Sequence, residues 1–468
     1  MLFDERSALA FGKRLNESLM DSPSIFWRLF ALEPERLTPI ERMLLRIALV
    51  GGILIALWTF LDIRTYAGVD LRNRVVGARV MLAGYDPYTF VWESGLPDTL
   101  LDPVYDPKAH RLTLSPPTLL PYAAMAPLHY RVQRFLHWLA EWAALIASIA
   151  LLARTLPEQR QRALLLLAAA VFVVATDVWR LHLERGQVYV FNLLAISVAT
   201  YCTRCGLVDS LGAGVALGVL GLMRPNLLLF APGLLLMRQW RGFSALCATV
   251  ALGVGAAYAA LPESSWRSYL DVGDQYFRSI QDPESVPDRP RPSPHGIAEG
   301  TNFDAALPNV ESSAFAPAWR ALHERFGLPM IDVALTSKIG LVCVALALLG
   351  LLAWGVVRGE QARRQNGGWA LMMTVGLCTE FFLPHRWGYA DVMLLAPLAI
   401  MLPELLRPER RWALAIVVFG LLCGPLGQQF IGLQFATILR SCLVMGGLSA
   451  LALVQWIWYV DGDVVKQQ

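Results

Sequence analysis

Asp70, Arg72, Arg74 and Arg79 follow the first long apolar run of this 468-residue chain, and three later connections repeat the same mixture of acids and cations. These carry Asp177, Arg180, His182, Glu184 and Arg185, then Arg224 in Met-Arg-Pro-Asn, then Glu380, His385, Arg386 and Asp391. A carboxylate within hydrogen-bond reach of a hydroxyl can take its proton as a new bond forms. Arginine, with its planar fork, and histidine can spread the charge of a departing phosphate. One acid and several cations facing one polar cavity therefore suit transfer of a group from an anionic lipid carrier. Each piece also suits a structural role. Asp70 stands where it would cap a helix over residues 71–82 that Gly84 ends, the arginines suit lipid headgroups, and Asp86 suits the turn Tyr85-Asp-Pro-Tyr88. Arg224 sits between two short apolar helices, where a purely structural charge is costly.

The elements that must position these residues follow from composition. Hydrophobic residues make up 56% of the chain and charged residues 16%, whereas soluble chains carry about 25% charged residues. This predicts an all-α polytopic membrane protein. With 40 basic against 37 acidic residues the net charge is small, so no nucleic-acid partner is expected. Runs long enough for a bilayer place about twelve spans, near 43–61, 134–153, 163–180, 187–203, 211–223, 226–238, 243–261, 337–357, 369–383, 389–405, 411–426 and 433–459. The pair over 211–238 also reads as one broken or re-entrant helix.

The short basic connections at 154–162, around Arg204, at Arg238 to Arg241, at 358–364 and at 407–411 fall on one side, which the positive-inside bias makes cytoplasmic. Residues 1–42 then form a cytoplasmic lead-in with an interfacial helix near 26–32. Residues 43–461 form the transmembrane domain and 462–468 a cytoplasmic tail, so both termini lie inside. Two long connections, 62–133 and 262–336, fall outside and bring the acids and cations to the outer face. The second is expected to start with an interfacial helix over 266–280 and to regain a helix over 316–326. The cysteines sit mostly in apolar runs, and Cys202-x-x-Cys205 has no second pair at zinc-ligand spacing, so no metal site is expected. There is no Gly-rich phosphate loop of Walker or Rossmann type either.

The stretch Asp70-Leu-x-x-x-x-x-Gly-Ala-x-x-x-Leu-x-Gly84-x-Asp86-Pro-Tyr88 resembles the first outer loop of GT-C integral membrane glycosyltransferases, most closely glycosyltransferase family 87. Further stretches fit in the same order: Leu114-Ser-Pro-Pro-Thr-Leu-Leu-Pro with Ala126-Pro-Leu, Arg185-Gly-Gln187, Gly214 to Pro225 ending in Met-Arg-Pro, and His385-Arg-Trp-Gly-Tyr-Ala-Asp391.

The resemblance implies an inverting transfer of mannose or a similar sugar from a polyprenyl-phosphate donor to a glycan or glycolipid acceptor at the outer face of the plasma membrane, without metal or other cofactor. It implies Asp70 as the base, with Asp62 the fallback, and Arg224, His385 and Arg386 on the donor phosphate. Arg185, Gln187, His182, Glu184, Arg72 and Tyr88 would line the sugar and acceptor pocket. Arg-Asn-Arg after Asp70 and His-Arg-Trp-Gly-Tyr before the tenth span depart from better-known members and leave the sugar open among mannose, arabinofuranose, glucose and galactose. Two rival readings share the same arginines: a flippase or transporter of a lipid-linked sugar, and a GT-C-type polysaccharide ligase or polymerase.

Overall fold

The computed structural model describes residues 25–63, 68–90, 92, 95–100, 112, 114–204, 211–281, 319, 323, 326–327, 329, 331–358, 361–383, 388–431 and 433–461. Among them there is no strand. The chain begins with α1 (Ile25–Leu29), α2 (Pro39–Asp62), α3 (Val69–Leu82), α4 (Pro116–Ala123) and α5 (Tyr130–Arg154). Then come α6 (Gln159–Ala170), α7 (Asp177–Arg185), α8 (Tyr189–Arg204), α9 (Leu211–Met223), α10 (Phe230–Leu236), α11 (Trp240–Ala260) and α12 (Ser264–Gln281). The last five are α13 (Val333–Arg358), α14 (Gln361–Leu377), α15 (Leu395–Leu405), α16 (Arg411–Ile431) and α17 (Leu433–Asp461). The helix expected over 316–326 lies mostly outside the described residues.

Local signals account for many of these boundaries. Thr38 and Glu41 form a reciprocal capping box ahead of Pro39, and the apolar run that follows is α2. Pro225 breaks the apolar stretch between α9 and α10 into a tight 3-10 turn over Pro225–Leu229. The helix expected after Asp70 is α3, but Asp70 lies inside its first turn and does not cap it. The N-cap is Gly68, in the left-handed region at φ 55°.

Among the described residues five helices are long and apolar enough to cross a membrane: Pro39–Asp62, Tyr130–Arg154, Trp240–Ala260, Leu335–Trp354 and Ile438–Ile457. A sixth arises if α6 and its π-helical extension to Ala175 count with residues 178–185 across a 62° bend. The expected twelve are not reached by this measure. At 16 residues, α8 is about 24 Å long, short of a hydrocarbon core of about 30 Å. Its apolar side chains, like those of α15, are largely covered by other helices. By contrast, Ile47, Leu54 and Leu57 of α2 stay exposed, as befits a helix facing lipid.

Contacts sort the bundle into two ends. At one, the lead-in meets the α5–α6 connection: Arg162 donates to the Ala31 carbonyl, Gln159 accepts from the Glu33 amide, and Arg160 lies 3.4 Å from Glu41. Helices α2 and α5 then run to the other end, where Gly68 approaches Arg134 and Arg72 lies over Tyr130.

Asp391, one of the acids singled out in the sequence, is fully buried inside the bundle. Its carboxylate accepts from Arg440 Nε at 2.8 Å and from Ser441 Oγ at 2.9 Å on α17. Removing one member of a buried pair leaves the other charge uncompensated. Asp391→Ala should therefore destabilise the protein by about 3–5 kcal/mol, read as a fall in the thermal midpoint in detergent.

Candidate active site

Asp70 is placed by a close approach between α3 and the turn joining α7 to α8. That turn passes through Gly186 at φ 66°, where a Cβ would stand 2.7 Å from Leu71 Cβ, so only glycine lets α3 settle onto it. Leu71, Val75 and Ala78 pack there with Leu114, Tyr122 and Val188. The apolar contact sets α3 in register, and the polar residues beside it meet as a result.

Asp70 Oδ2 accepts a hydrogen bond from Gln187 Nε2, and Arg185 Nη1 lies 3.9 Å from the same oxygen. One turn along α3, buried Arg74 donates to the Gly186 carbonyl at 2.5 Å and to Gln187 Oε1 at 2.8 Å. An arginine only donates and an ionised carboxylate only accepts, so the Gln187 amide can face just one way between them. The Asp70 side chain keeps 24% of its surface exposed. It is oriented but accessible.

A second cluster forms around Arg224, at the break after α9. Its guanidinium lies 4.4 Å from the centroid of the Tyr189 ring, and its Nε is 3.7 Å from Glu380 Oε2. Asn226 donates to Glu380 Oε1 at 2.9 Å and to Thr379 Oγ1 at 3.0 Å, which ties the buried carboxylate to the same turn. Tyr269 of α12 faces this cluster. Burial pushes its hydroxyl above the ordinary tyrosine value, and the nearby Arg224 charge pulls it back. The Tyr269 ring also packs on Tyr88 at 5.6 Å, and Ser268 donates to Asp86 Oδ2 at 2.6 Å. The turn at residues 85–88 is thus fastened to α12.

The two clusters share a wall. Gln187 holds Asp70 and Tyr189 lies beneath Arg224; two residues apart, their Cα atoms are at most about 7 Å from each other. Met223 packs against the same apolar cluster as Leu71. Acid and cation therefore border one region at one end of the bundle.

Other expected site residues are placed differently. His182 is wholly buried: its Nδ1 lies 3.1 Å from Glu141 and its Nε2 accepts from the Val190 amide, so it faces the bundle interior. Glu184 is buried beside Arg180 at 2.5 Å. Arg72 is buried with its guanidinium 5.7 Å from the Tyr130 ring. Tyr88 is buried too, and its hydroxyl donates to the Leu114 carbonyl at 2.8 Å. Asp62 ends α2 at the same end of the bundle as Asp70. His385 and Arg386 lie outside the described residues. Sequence reasoning passed over Tyr189, Tyr269, Asn226 and the buried Arg134, His137 and Glu141. The signal for the last three was an Arg-x-x-His-x-x-x-Glu pattern inside an apolar run. Among the described residues no group of three His, Cys, Asp or Glu is arranged to hold a metal.

Arg74→Met should leave the Gly186 carbonyl and the Gln187 amide oxygen buried without their donor, at about 1–3 kcal/mol each. A lowered thermal midpoint in detergent checks it, with Arg74→Lys expected to restore part of the loss.

No curated protein matches the chain. The model of glycosyltransferase family 87 matches residues 113–298, a stretch that holds Arg185, Gln187, Tyr189, Arg224 and Tyr269 and begins after Asp70. The turn that orients Asp70 and the cation beside it thus lie in the segment that is similar to glycosyltransferase family 87, in a chain with several helices long and apolar enough to cross a membrane.

Proposed function

We propose that the protein is an inverting glycosyltransferase that moves mannose or a similar sugar from a polyprenyl-phosphate carrier to a glycan or glycolipid acceptor. The observation that carries this reading is the accessible Asp70 carboxylate, oriented by Gln187, bordering the same region as Arg224. The acceptor oxygen attacks the anomeric carbon from the face opposite the phosphate. Asp70 takes the hydroxyl proton, and the bond from the anomeric carbon to the phosphate oxygen breaks. The carrier phosphate leaves as an anion, and Arg224 spreads its charge, with His385 and Arg386 as further cations for the same role. Arg185 and Gln187 stand beside Asp70 and suit the sugar and acceptor hydroxyls. Fixed guanidinium charge supplies what a divalent cation would, so the reaction needs none.

The lead-in and the basic α5–α6 connection meet at the end away from Asp70. Positive-inside bias favours that end as cytoplasmic, which supports a reaction at the outer face, with the plasma membrane as its proposed place. The carrier's tail stays in the bilayer while its phosphate reaches the rim, so no soluble nucleotide-binding fold is required.

The test is transfer in proteoliposomes with radiolabelled polyprenyl-phosphate sugars. Asp70→Asn is expected to lower kcat about 10²–10⁴-fold with donor binding kept. Unchanged transfer would remove Asp70 as the base. Arg224→Gln is expected to cost about 10²–10³-fold in kcat/KM, and donor binding without any transfer by the unaltered protein would favour a flippase instead.

A further inference from the structure

The span α5 carries an ionisable network that the reaction as written does not use. Glu141 is fully buried; Arg134 Nη1 lies 3.9 Å from its Oε2, His137 Nε2 3.7 Å from its Oε1, and His182 Nδ1 3.1 Å from Oε1. Such groups within a membrane-spanning helix are costly to keep. Glu141 has no exposed surface with which to meet a substrate, so its effect must pass through its neighbours.

Those neighbours lead to the Asp70 cluster. Arg134 Nη2 donates to the Leu183 carbonyl at the end of α7. The Arg134 Cδ and Nε lie 3.0 and 3.1 Å from where a Cβ on Gly68 would stand, two residues before Asp70. Its Nη1 lies 3.5 Å from the same point on Gly186, between Arg185 and Gln187. Both glycines have positive φ, and one guanidinium fills the space between them. His182 fastens the far side of the turn by accepting from the Val190 amide.

We propose that Arg134, held by Glu141, is a positioning residue that sets the start of α3 and the 185–187 turn against each other, so that Asp70 meets Gln187. For its effect on turnover the proposal rests on Asp70 acting as the base. For its effect on geometry it does not.

The geometric arm uses Asp70→Cys with Gln187→Cys in the full-length protein in native membranes, joined by a short bifunctional thiosulfonate, the linked peptide being quantified by mass spectrometry. Ser449→Cys, 3.2 Å from the native Cys378 thiol in the parent structure, gives a control pair in the same chain. Adding Glu141→Ala or Arg134→Met is expected to slow the 70–187 link at least about tenfold and to leave the control link unchanged. If these variants do not accumulate, Glu141→Gln and Arg134→Lys serve in their place. An unchanged 70–187 rate overturns the proposal, as does equal slowing of both links, which would mean general loosening.

The kinetic arm uses Arg134→Lys and Glu141→Gln with the native Asp70 and Gln187. Misplacement of a reacting group lowers kcat by up to about 10²-fold, with donor KM expected within about twofold. A rise in KM alone counts against positioning. Active Asp70→Asn with a slowed 70–187 link would sink the base assignment and leave the positioning claim standing.

Discussion

The contact between Leu71 and Gly186 is the constraint on which the rest of the site depends. A helix that starts in the connection after α2 and a turn more than a hundred residues later touch at a position with no room for a Cβ. That apolar contact is worth little by itself. What it does is bring Asp70, Arg74, Arg185 and Gln187 into one hydrogen-bonded group, where each amide and guanidinium has a single sensible orientation. Arg74 and Gln187 are buried, so the group cannot relax into water without leaving polar atoms unpaired.

Around Arg224 the logic is different. Its charge is balanced by buried Glu380 and faced by the Tyr189 ring, a setting that suits a planar cation. Because Tyr189 and Gln187 stand two residues apart at the start of α8, the acid and the cation each make a contact with one short segment. Helix α12, through Tyr269 and Ser268, closes the remaining side. A frame of this kind suits the transfer proposed above, since proximity must come from the protein alone.

Much of the local architecture was legible in the sequence. The helix after Asp70, the amphipathic helix near 266–280 and the break at Arg224-Pro225 all have short-range causes in glycine, proline and periodicity. The span count was not legible, because an apolar run reads the same whether lipid or another helix covers it; α8 and α15 are apolar because they are enclosed. Sorting charges by side singles out Asp70 and Arg224. Their partners were not. Glu380 reaches Arg224 and Asn226 across some 150 residues, and Arg134 meets two glycines from separate connections, so neither pairing leaves a periodic trace. His182 and Glu184 were misplaced for the same reason: a helix surface pattern does not say which face a neighbour will cover.

Helix α2 has 24 residues, about 36 Å along its axis, and most of its apolar surface meets no other part of the chain. Glu41, Arg42, Arg46 and Asp62 stand near its ends, so the uncharged run over 47–61 spans about 22 Å, and a hydrocarbon layer of about 30 Å reaches past it toward those charges. Its last residue is Asp62, and α3 begins seven residues later. Acyl-chain length therefore bears on the end of α2 that precedes Asp70, while the Arg134 contact at Gly68 holds the start of α3 to the bundle.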